Sequence, residues 1–76
     1  MPRADDILDA TDLLCPLPVL KARKALNAMT PGQKLRIRTS DPVAVIDIPH
    51  FCAEAGHRLI SSTDEGATQL FEIERG

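Results

Sequence analysis

The sequence predicts a two-layer α/β sandwich: a four-stranded mixed sheet with two helices on one face, in the order β-α-β-α-β-β. Three observations predict it. Apolar residues recur every three or four positions across residues 16–29 and 43–55, as on the buried face of a helix. In shorter stretches, clearest over residues 34–40, they alternate with polar residues, as on a strand with one covered face. Proline or glycine punctuates the junctions, at Thr30-Pro31-Gly32, Asp41-Pro42, Gly56 and Gly66. A chain of 76 residues is expected to form one small domain over 1–76, and two helices over one sheet face is the simplest way to close its core.

Residues 1–6 are polar and expected to be loose. Residues 7–10 form a short strand. The first helix runs over residues 16–29, with Val19, Ala22, Leu26 and Met29 on its apolar face and Lys21, Lys24 and Ala28 opposite. Pro16 and Pro18 mark its start, because a first helical turn has N–H groups without intrahelical partners and can do without them. The strand over residues 34–40 points Leu35, Ile37 and Thr39 to the core and Arg36 and Arg38 to the open face. Strand, helix and strand in about thirty residues make a βαβ unit. The second helix fills roughly 43–55, with Val45, Ile48, Phe51 and Cys52 on its apolar face and Gly56 as its C-cap. Pro49 favours a proper start near Asp47, which would place the proline in the first turn. Residues 57–63 and 67–75 form an antiparallel hairpin around Asp64-Glu65-Gly66, with Phe71 and Ile73 covered.

Composition excludes several functions. Aromatic residues are 3% of the chain, with no Trp or Tyr, so there is no set of rings on which bases could stack. The net charge of −2 argues against nonspecific nucleic-acid binding. No apolar run approaches the roughly 20 residues of a membrane span. The amino-terminal residues show no signal-peptide apolar region, and a cytoplasmic location is the default. Cys15 and Cys52 form neither a Cys-x-x-Cys pair nor a zinc-ribbon pattern. His50 and His57 could complete a metal site with them, but His50 and Cys52 are two apart on a helix and do not share a face.

Cys15 is the candidate nucleophile. At the start of a helix, its sulfur would lie near free N–H groups and the positive end of the helix dipole, both of which favour a thiolate. Cys52, on an apolar helix face beside Phe51, reads as core. No general base is evident, and no pocket for a small substrate is expected. Lys21, Arg23 and Lys24 read either as a solvated helix face or as a docking surface for an acidic partner.

The run Leu14-Cys15-Pro16-Leu17-Pro18-Val19-Leu20-Lys21-Ala22 resembles the amino-terminal signature of the TusA/SirA-like sulfur carriers, whose mark is Cys-Pro-x-Pro at the start of the first helix. Asp47-Ile48-Pro49-His50-Phe51-Cys52, followed by Gly56-His57, is similar to the family's second-helix segment. The resemblance covers residues 7–75 without insertions. It implies that Cys15 carries sulfane sulfur as a persulfide. The donor would be a cysteine desulfurase or rhodanese-type protein and the acceptor a DsrE-type relay protein, serving tRNA thiolation or sulfur oxidation. No cofactor or metal is implied, and a monomeric transfer protein is expected rather than a self-sufficient enzyme. The chain departs from the family at Asp12, where many members carry glycine. If that glycine serves a positive φ, Asp is among the better substitutes, and a carboxylate pointed at the sulfur would oppose thiolate formation. Two rivals stand beside this reading. One is a thiol-redox or thiol-sensing protein. The other is a non-catalytic regulatory or RNA-binding module using Arg36 and Arg38.

Overall fold

The computed structural model describes residues 7–76, so the expectation for residues 1–6 lies outside the described residues. Its elements are β1 (Ile7–Ala10), α1 (Leu17–Asn27), β2 (Lys34–Thr39), α2 (Ala44–Ala55), β3 (Arg58–Asp64) and β4 (Gln69–Glu74). The strands form one sheet in the order β1-β2-β4-β3. β1 runs parallel to β2, and β4 is antiparallel to both of its neighbours. The predicted βαβ unit and carboxy-terminal hairpin are both present.

Alternation along β2 decides which face the helices cover. Leu35, Ile37 and Thr39 are buried, and β4 sets Ile73 and Phe71 opposite Leu35 and Ile37. Ala22 and Leu26 of α1 and Ala44, Ile48, Phe51 and Cys52 of α2 close the core over them. On the other face Arg36 lies opposite Glu72. Arg38 makes two charge-assisted bonds to Glu65, at 2.8 and 3.0 Å. The basic side chains are on the open face as expected, but Arg38 is engaged by a carboxylate of the same chain.

The start of α2 corrects the sequence reading. The helix begins at Ala44, three residues before Asp47, and Pro49 lies inside it. Asp41 is the reason. Its Oδ1 accepts the Val43 N–H at 3.0 Å and its backbone carbonyl accepts the Ala44 N–H at 3.0 Å. The chain is therefore already turning from Asp41 before Asp47 is reached, and Val43 is the N-cap. The helical bond that Pro49 cannot donate would have gone to the carbonyl of Val45, a residue exposed to water. Ala44, not Val45, faces the core. At its other end α2 stops as predicted: Gly56 takes φ +80° and the His57 N–H reaches the Cys52 carbonyl at 2.9 Å.

Smaller differences fall at element ends. α1 closes at Asn27, though Met29 still bonds back to Leu26 at 3.0 Å and is buried. β4 begins at Gln69, because Glu65 bonds to Thr68 at 2.8 Å and the connection uses those residues. In β3, Leu59 opposes Ile73 and Ser61 opposes Glu72, which leaves Ile60 as the extra residue of a bulge.

Candidate functional site

β1 ends at Ala10, and the chain turns through residues 11–16 into α1. Asp12 takes φ +66° in that turn and its N–H is held by Ser40 Oγ at 2.8 Å. The position does require a left-handed backbone, which Asp tolerates better than most residues. Leu17 N–H bonds to the Leu14 carbonyl at 2.8 Å, and Leu20 N–H to the Pro16 carbonyl at 3.1 Å. Pro16 thus occupies the N-cap and Pro18 lies buried in the first turn. The Cys15–Pro16 peptide is cis.

Cys15 is exposed at this turn, and two carboxylates hold it, Asp41 from the loop before α2 and Asp47 from α2. The Cys15 backbone N–H donates to Asp41 Oδ2 at 2.7 Å, so one carboxylate ties the turn to the cap of α2. The Cys15 thiol donates to Asp47 Oδ2 at 2.8 Å. Asp47 raises the thiol pKa above its ordinary value, first by accepting its hydrogen. Partial desolvation and the charges of Asp47 and Asp41 push the same way. The expectation of a thiolate therefore fails. The carboxylates prevail over the helix start, whose Leu17 N–H is already spent on Leu14. Asp12, suspected of opposing the thiolate, has no part in this shift.

The remaining predicted residues separate. Lys21 donates its ammonium to the Asp9 carbonyl and braces the end of β1. Arg23 lies with its guanidinium carbon 5.4 Å from the centre of the Phe51 ring. Lys24 is exposed. Cys52 is buried, and desolvation raises its thiol pKa. His50 pairs with Glu54 at 2.8 Å. His57 accepts the Gly76 N–H at 3.0 Å, and burial together with the Arg75 charge lowers its pKa. Among the described residues, no three His, Cys, Asp or Glu side chains come together as a metal site.

Two features went unread in the sequence. A cleft of about 620 Å³ opens beside the thiol, running from Cys15 and Asp47 past Arg23 and Phe51 to His57 and Arg75. This corrects the expectation that no pocket would lie there. Small wall residues, Pro16, Val19 and Ala55, leave the space between the helices unfilled. The second feature is apolar. Leu14, Leu17 and Leu20 at the start of α1 and Val43, Val45 and Ile46 at the start of α2 are all exposed, Leu14 by 69% and Ile46 by 72%. Both helix starts reach the thiol's neighbourhood, since Cys15 precedes α1 and its Sγ bonds to Asp47 of α2. The available signal was that Leu17 and Leu20 fall outside the stripe formed by Val19, Ala22 and Leu26.

A β-α-β-α-β-β sandwich with an exposed cysteine at the head of its first helix has the build of a small SirA-like protein. The solved SirA-like protein from Desulfitobacterium hafniense matches it with a TM-score of 0.79, over 92% of this chain and 96% of that one. At 19% identity, that likeness is one of fold. The model of the family described as Sulfurtransferase TusA matches residues 6–75. The sulfur carrier protein TusA of Allochromatium vinosum is 44% identical over 71 residues, 93% of each chain. The putative sulfur carrier protein YrkI of Bacillus subtilis is 36% identical over 74 residues, 97% of this chain and 99% of that one. The chain belongs to the TusA family of sulfur carriers.

Proposed function

We propose that this chain relays sulfane sulfur as a persulfide on Cys15. A protein donor, a cysteine desulfurase or a rhodanese-type protein, would load it. An acceptor thiol on a DsrE-type relay protein would unload it, for tRNA thiolation or sulfur oxidation. One observation carries the reading: Cys15 is an exposed thiol at the start of α1, and six exposed apolar side chains cluster in sequence at the starts of α1 and α2. Such a setting suits a surface that a partner protein covers while two sulfurs exchange. Docking would rest chiefly on these apolar residues, with Arg23 at the cleft as the charged contact. The buried Cys52 is poorly placed to resolve a disulfide with Cys15, which counts against the thiol-redox rival. The two bonds from Arg38 to Glu65 count against an RNA-binding sheet face. Two free cysteines, one of them exposed, agree with a reducing, cytoplasmic setting.

The test is intact-mass spectrometry of the reduced protein after incubation with a cysteine desulfurase, cysteine and pyridoxal phosphate, repeated with a rhodanese and thiosulfate. The expected result is a gain of one sulfur atom, reversed by reductant, kept in Cys52→Ala and lost in Cys15→Ser. No gain from either donor, with Cys15 still open to alkylation, would overturn the reading.

A further inference from the structure

The geometry points to a role for Asp47 that the persulfide reading does not include. Resting on that reading, we propose that Asp47 is the proton acceptor and donor of the sulfur transfer. It would pass the Cys15 thiol proton to the departing donor sulfur when sulfur arrives, and pass the acceptor thiol's proton to Cys15 when sulfur leaves.

The placement supports this. Asp47 Oδ2 lies 2.8 Å from Cys15 Sγ, within the reach required of a general base. Asp41 is the other carboxylate at hand, but it is buried and its two oxygens accept the backbone N–H groups of Cys15 and Val43. Asp41 positions the turn, and Asp47 is left to deal with the sulfur. The other charged and titratable groups facing the pair are Arg23 from α1, His50 and Glu54 from α2, and His57 and Arg75 beyond them in the cleft. His50 and Glu54 bond to each other, and Arg75 Nε donates to the Leu26 carbonyl at 2.8 Å. None of these five hydrogen-bonds to Sγ, whose partner is Asp47 Oδ2.

The step balances without an oxidant. The donor presents R–S–SH. The Cys15 proton passes to Asp47 as Sγ attacks the outer sulfur. A bond forms between Sγ and that sulfur, and the donor's S–S bond breaks. The donor sulfur leaves with the electron pair and takes up the proton held by Asp47. The products are R–SH and Cys15–S–SH. Discharge runs the same course in reverse: an acceptor thiol passes its proton to Asp47 as its sulfur attacks the outer sulfur, the Cys15 S–S bond breaks, and Cys15 Sγ leaves with the electron pair and takes up that proton from Asp47. A thiol and a carboxylate differ by about five pK units in their ordinary values, so the proton rests on sulfur and moves only along the reaction. A free carrier kept as a thiol is also a poor target for stray electrophiles and oxidants.

The experiment compares wild type, Asp47→Asn and Asp47→Glu in two assays. The first is the pH profile of Cys15 alkylation by iodoacetamide. The second is the single-turnover rate of sulfur loading at saturating concentration of whichever donor loads the wild type. Asp47→Asn is expected to alkylate faster at neutral pH, with its profile moved to lower pH. Its maximal loading rate is expected to fall by about 10²-fold, the lower end of the usual general-base contribution. Asp47→Glu should recover part of that rate. Loading by Asp47→Asn as fast as wild type would overturn the proposal and leave the carrier reading intact. So would slower loading with an unchanged alkylation profile, or a loss confined to the half-saturating donor concentration, since either would make Asp47 a docking contact. Failure of wild type to load from either donor would instead sink the carrier reading.

Discussion

Cys15 and Cys52 both hold their protons more tightly than an ordinary thiol, and for opposite reasons. Cys52 is sealed in the core among Ile48, Phe51 and Phe71, and burial alone penalises its charged form. Cys15 stands in water and is restrained chiefly by one hydrogen bond to Asp47. Burial is lifted only by opening the fold. A hydrogen bond is lifted by moving one side chain, which a docking partner can do. The same direction of shift therefore marks an inert residue in one place and a controllable one in the other.

The sharpest way to break this comparison is differential alkylation of the native protein. Cys15 is expected to react completely before Cys52 is touched, with rates differing by at least about 10³-fold, because Cys52 must wait for the core to open. Comparable rates, followed by mass mapping of the modified peptides, would show that α2 opens locally and that the contrast is false.

A smaller effect lies in stability. Cys52→Ser places a hydroxyl in an apolar site and is expected to cost about 1–3 kcal/mol in urea denaturation. Cys15→Ser, at an exposed position where serine can still donate to Asp47, should stay within about 0.5 kcal/mol of wild type. Equal losses at both positions would mean that the Cys15 turn carries more of the fold than its exposure implies.

The smallest effect is on pH dependence. Between the ordinary thiol value of 9.0 and the raised folded values, the folded chain binds more protons than the unfolded one. Both thiols therefore contribute stability that is fully present below this window and lost as the pH rises through it. Thermal melts from pH 7 to 10 should show the loss beginning near pH 9. Cys52→Ala should flatten it by removing the buried share, and Asp47→Asn by removing the exposed share. A wild-type melting temperature that rises across this range would contradict the sign.

Most of the fold was legible in the sequence, because it is written in local periodicity. Leu35, Ile37, Phe71 and Ile73 point inward where alternation put them, and Ala22 and Leu26 where helical spacing put them. Pro49 alone points to a start of α2 near Asp47, whereas the turn at Asp41 starts the helix at Ala44. An Asp-Pro pair ahead of an apolar helix is itself a turn-initiating signal, and Asp41 starts the turn that leads into α2. At the site, the cysteine and its two prolines were legible, whereas the state of the thiol was not. A helix start read alone argues for a thiolate, and the neighbours that reverse this come from α2 and the loop before it.

By itself the sequence determined the order of elements, their covered faces, the cysteine at the head of α1 and the membership of the TusA family, since each depends on residues close together along the chain. Only the tertiary structure decided what surrounds that cysteine. Asp47 is 32 residues away and Asp41 is 26, and both reach it because α2 starts beside the first turn of α1 over the same sheet face. A hydrogen bond between such distant positions depends on how two helices pack, and no local pattern encodes that.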